Sequence, residues 1–75
     1  MTEAELKLML FRYNMLSKEA GESSHYDDKW EECIDEMIKM EDDLRKYGYK
    51  FVYNGIKAAG SISYSTYKIV PIDNH

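Results

Sequence analysis

Apolar residues recur through Asp27–Tyr47 at positions 30, 33, 37, 40, 44 and 47, in alternating steps of three and four. At 100° per residue, Trp30, Cys33, Ile34, Met37, Ile38, Met40, Leu44 and Tyr47 share about half the circumference. The pattern predicts an amphipathic helix lying lengthwise on a second helix. Asp27 or Asp28 supplies an N-cap, with Glu31 three residues after Asp28. Arg45 and Lys46 suit the negative helix end, and Gly48 stands where a left-handed residue closes a helix. Glu41 falls near the middle of the apolar stripe. It is expected to reach Arg12 or Arg45, or to lie where the stripe meets solvent, because an unpaired buried carboxylate is costly.

The first helix is expected over Thr2–Glu19, with Thr2 as N-cap and Glu5 three residues on. Its apolar positions form two stripes. Leu6, Met9, Leu10, Tyr13, Leu16 and Ala20 make one; Ala4, Leu8, Phe11 and Met15 make another on nearly the opposite side. Such a helix either lies between two layers of its own domain or keeps one side for a partner. Gly21 is expected to stop it, and Gly21–Tyr26 to form a polar connection.

After Gly48 the period changes from helical to alternating. Tyr49–Tyr53 reads as a strand, Asn54-Gly55 as a type I′ hairpin turn, Ile56–Ala59 as a short return strand, and Ile62–Val70 as a third. The alternative is a two-stranded hairpin of Tyr49–Tyr53 and Ile62–Val70, closed by a loop from Asn54 to Ser61. In the last strand Ile62 and Tyr64 are out of phase with Tyr67 and Ile69, which calls for a bulge near Ser65-Thr66 or burial on both faces. Pro71 ends the strand, and residues 73–75 are expected to fray. The fold class is α+β: an N-terminal antiparallel helical hairpin packed on a small C-terminal antiparallel sheet of two or three strands. The whole chain, 75 residues, makes one domain.

Charge changes the picture in one place. Residues 21–47 hold four basic and ten acidic side chains, a net −6, while residues 1–20 balance and residues 48–75 carry a net +2. The acidity belongs to the second helix, on whose outer face stand Glu31, Glu32, Asp35, Glu36, Asp42 and Asp43. An acidic second helix is the wrong sign for helix-turn-helix or winged-helix DNA recognition, so no direct nucleic-acid binding is expected. Cys33 is the single cysteine; with no disulfide to form, and acidic residues where a cationic leader would begin, a cytoplasmic location is expected. No apolar run approaches membrane-spanning length.

Catalytic chemistry finds little support. The glycines match no phosphate-binding loop, His25 has no second ligand at a recognised spacing, and the carboxylates lack a calcium-loop pattern. No enzyme, cofactor or metal is therefore expected. The remaining expectation is a small non-enzymatic protein-binding module, an inhibitor or adaptor of the kind that phages and other mobile elements encode. Its contact residues would be Leu8, Phe11 and Met15 of the second stripe and Glu32, Asp35, Glu36 and Asp43 of the acidic face, the partner having a basic surface. Two alternatives stand beside it. One is a homodimer joined through the second stripe. The other is a small-ligand or nucleotide binder using Tyr49, Tyr53, Tyr64 and Tyr67 beside Lys50, Lys57 and Lys68.

Overall fold

The computed structural model describes residues 1–23 and 27–72. The element order is α1 (Glu3–Glu22), α2 (Asp28–Lys46), β1 (Tyr49–Ala59) and β2 (Ile62–Pro71), the two strands forming one antiparallel sheet. The expected α+β arrangement is present: a helical hairpin packed on a C-terminal sheet. The expectations for His25 and for the tail 73–75 lie outside the described residues.

Both helices start where their caps dictate. The Glu5 N–H donates to the Thr2 hydroxyl and the Thr2 N–H to the Glu5 carboxylate, a reciprocal capping box. The bonds that the Thr2 N–H and then the Thr2 hydroxyl donate to the Glu5 carboxylate hold its pKa below the usual value. At α2 the Trp30 N–H donates to the Asp27 carboxylate at 2.7 Å. Gly48 closes α2 with a φ of 86°, its N–H donating to the Arg45 carbonyl. Gly21 does not stop α1: the helix runs through it to Glu22 and is capped by Ser23.

Asn54-Gly55 is not a turn, and Ile56–Ala59 is not a separate return strand. β1 continues through it, and the chain reverses at Gly60-Ser61, between the paired residues Ala59 and Ile62. Tyr53 pairs with Tyr67 and Ile56 with Ser65, so Asn54 and Gly55 together oppose Thr66. This is a bulge at the expected level, but its extra residue lies on β1. Gly55 supplies the positive φ, 99°, and the Thr66 hydroxyl donates to the Gly55 carbonyl at 3.0 Å.

The register sorts the side chains. Tyr49, Phe51 and Tyr53 share a face with Pro71, Ile69 and Tyr67; Lys50 and Val52 share the other with Val70, Lys68, Thr66, Tyr64 and Ile62. Ile62 and Tyr64 thus stay out of phase with Tyr67 and Ile69, and β2 is partly covered on both faces. The cause is the position of α1, which runs alongside the edge of β2. Leu10, Asn14, Ser17 and Gly21 form one line down the helix at steps of four, three and four. Leu10 shares a hollow with Ile69. The Tyr67 N–H donates to the Asn14 side-chain oxygen at 2.8 Å, and the Asn14 amide nitrogen donates back to the Tyr67 carbonyl at 3.3 Å. The Ser17 hydroxyl donates to the Ser65 carbonyl at 2.8 Å, and Gly21 lies against Ser63 and Tyr64. One amide side chain therefore does for Tyr67 what a third strand would do.

The core lies between the helices and the Phe51 face. Tyr13, Leu16 and Ala20 meet Cys33, Met37 and Met40, with Met9, Trp30, Ile34, Phe51 and Tyr67 packed around them. The Tyr13 ring stacks on Phe51 at 3.7 Å between centroids and meets Tyr67 edge-on at 5.0 Å. Leu44 is fully enclosed.

Two stability effects follow. Asn14→Ala leaves the Tyr67 N–H and carbonyl without their partner and is expected to cost about 1–3 kcal/mol in urea unfolding. Gly21→Ala is expected to add up to about 0.5 kcal/mol, less than in a helix interior, because Gly21 lies in the last turn of α1. A Cβ there would meet its nearest neighbour at 3.5 Å, an ordinary contact.

Candidate interaction surfaces

The second stripe of α1 faces solvent. Leu8 is 69% exposed, Phe11 65% and Met15 38%, while Tyr13 on the opposite side is buried. α1 does sit between α2 and β2, but its outer side is covered by neither. The stripe is a ridge between two hollows. On the α2 side Met1, Leu8, Met9 and Met40 line a hollow of about 300 Å³ with Glu5 and Arg12 at its rim. On the sheet side Phe11 and Met15 line one of about 200 Å³ with Asn14, Lys57, Tyr64 and Thr66.

The acidic face adjoins this ridge. Arg12, next to Phe11 in sequence, forms an ion pair with Glu36 and so ties the ridge to α2. Helical spacing sets Glu32 and Asp43 beside Glu36, whereas Asp35 points further round. Glu32, Asp35 and Asp43 are exposed. Asp43 has Lys46 at 3.8 Å, and Asp42 has Arg45 at 3.5 Å, pairs that at this exposure contribute little to stability. The expected link from Glu41 to Arg12 is not formed, since Arg12 turns to Glu36. Glu41 is instead half-buried where the stripe meets solvent, lining a hollow with Arg45, whose ion pair is with Asp42.

The four sheet tyrosines do not share one face. Tyr49, Tyr53 and Tyr67 lie on the Phe51 face and Tyr64 on the other, and Tyr67 is turned into the core against Tyr13. Residues that pattern alone did not single out are Arg12, as the bridge between surfaces, and Asn14 and Ser17, as the contacts to the edge of β2. The signal available for the last two was their alignment with Leu10 and Gly21 along a single helical line.

Cys33 is buried among apolar side chains, its Sγ 3.8 Å from a Glu19 carboxylate oxygen. Burial first, and then the charge of Glu19, push its pKa up. A protonated, enclosed thiol is a poor nucleophile at neutral pH. Burial and then the charge of Glu41 likewise raise the Tyr13 pKa. Among the described residues no group of His, Cys, Asp and Glu is placed to hold a metal ion, and no helix is long and apolar enough to cross a membrane.

The raised values have a signed consequence. The stability contributed by these two groups is complete below their ordinary pKa values, 9.0 for the thiol and 10.0 for the phenol. It is lost as the pH climbs from there through the folded values, because the unfolded chain releases those protons first. Urea unfolding followed against pH should show stability falling above about pH 9, with a shallower fall in Tyr13→Phe. Comparison with protein-family models, with curated proteins and with solved structures finds no match to this chain.

Proposed function

We propose that this protein is a non-enzymatic protein-binding module, an inhibitor or adaptor that acts by occupying a surface of its partner. The observation that carries the reading is the exposed ridge of Leu8, Phe11 and Met15, on a helix whose other sides are already engaged. An unbranched Met and a Phe standing clear of the surface are effective anchors for an apolar groove. The adjoining acidic residues Glu32, Glu36 and Asp43 supply the complement for basic side chains at the rim of that groove.

On this reading the two parts of the surface have different roles. The apolar ridge supplies most of the affinity through buried area, chiefly by slowing dissociation. The acidic face supplies steering and choice of partner, and its effect weakens with added salt. Asp35, further round α2, is expected to matter less than Glu32.

Because Phe11 is 65% exposed, Phe11→Glu should leave unfolding stability within about 0.5 kcal/mol of wild type. Affinity capture followed by mass spectrometry is expected to retain a partner with the wild type and to lose it with folded Phe11→Glu. Glu32→Lys should weaken the same capture and its salt dependence. An identical set of retained proteins for all three chains would contradict the proposal.

A further inference from the structure

The sheet has two edges, and the fold treats them differently. The edge of β2 is closed by Asn14 and Ser17 of α1. Among the described residues the edge of β1 has no counterpart. Tyr67 sends its N–H and carbonyl away from β1, so its ladder partner Tyr53 sends its own the other way, to the outer edge. The alternation puts the backbone groups of Tyr49 and Phe51 on that edge as well. Among the described residues, no hydrogen bond reaches the N–H or carbonyl of these three from another element. An open strand edge of this kind is a template for one more strand.

We propose that the occupant is the β1 strand of a second copy, paired antiparallel about a two-fold axis through Phe51. The stretch Tyr49–Tyr53 is self-complementary in that register. Phe51 meets Phe51 of the second copy, and Tyr49 meets Tyr53. All three are outward-bonding residues, so every outward N–H and carbonyl of the segment finds a partner. Lys50 falls opposite Val52 of the second copy. Centring the pair on residue 50 instead would set two lysines face to face and is disfavoured. The bulge at Asn54-Gly55 turns the strand away beyond Tyr53 and limits the pairing to this segment.

Exposed apolar groups gather on the same flank. Tyr47 ends α2 immediately before β1, and Tyr53 and Ile56 lie on β1 itself; all three are more than half exposed. Ile38, also half exposed, follows the line of Ile34, Glu41 and Arg45 on α2. Glu41 and Arg45 share a hollow with Lys50 and Phe51 at the start of β1, which places that line beside the strand. A two-fold through Phe51 brings the two copies of this flank together. It also makes one continuous sheet from two two-stranded ones, which are weak units on their own.

The test is solution mass by light scattering over serial dilution, with circular dichroism as the check on folding. Tyr53→Pro removes an outward N–H and no bond to β2, and proline is tolerated on an edge strand. The expected result is a wild-type dimer that dissociates on dilution, a folded monomeric Tyr53→Pro, and a Phe11→Glu variant that remains dimeric. A wild type monomeric at every concentration, a folded Tyr53→Pro that stays dimeric, or a folded Phe11→Glu that becomes monomeric would each overturn the proposal. Should Tyr53→Pro not fold, amide exchange of the wild type decides. Tyr49, Phe51 and Tyr53 amides that slow as concentration rises support the pairing, and amides that exchange at one rapid rate throughout exclude it.

Discussion

The side chain of Asn14 gives and takes one hydrogen bond with the backbone of a single strand residue, Tyr67. Much of the remaining architecture depends on that contact. A helix whose amide locks onto the outer edge of β2 must lie beside the strand and not flat over the sheet. From there Tyr13 reaches Phe51 and Tyr67 on one face, while Phe11 and Met15 border Tyr64 and Thr66 near the other. The position also decides what α1 leaves uncovered: its far side, with Leu8, Phe11 and Met15, is met by no other element among the described residues.

Size accounts for the rest of the exposed apolar surface. A chain of 75 residues buries a smaller share of its surface than a larger one, and seven of the described side chains make up the buried core. The large hydrophobics left outside are not scattered. Met1, Leu8, Phe11 and Met15 belong to the outer side of α1, and Tyr47, Tyr53, Ile56 and Ile38 to the side of β1. Apolar residues collected on two flanks, one beside a carboxylate-rich helix and one beside an unpaired strand edge, fit surfaces used for association.

Local chemistry made much of this legible from residues alone. The three-four spacing of α2, the box formed by Thr2 and Glu5 and the stop at Gly48 each depend on neighbours within one or two turns, and each is realised. The doubled stripe on α1 announced either a layered helix or an exposed face, and only the packing of β2 could decide. Asn54-Gly55 misled for a physical reason. The pair does need a positive φ, and Gly55 adopts one, but a bulge uses it as readily as a turn does. Which of the two forms depends on how far β1 can pair with β2, and α1 docked along the whole of β2 supports the longer pairing. Gly21 shows the same effect: a residue poor in helices lies inside one, and the helix continues to Glu22 before Ser23 caps it. Asn14 and Ser17 were the least visible, because polar residues between two apolar stripes look like solvent positions until a strand edge is set against them.

The most direct test of the account is the hydrogen-exchange rate of the Tyr67 amide in the wild type and in Asn14→Ala. Tyr67 points its N–H away from β1, and among the described residues the Asn14 side chain is the group that protects it. The account predicts slow exchange in the wild type, comparable to the core amides of α2, and a selective loss of that protection in Asn14→Ala. Rapid exchange of Tyr67 in the wild type would contradict the docking of α1 on the edge of β2, and with it the exposed faces that follow from it.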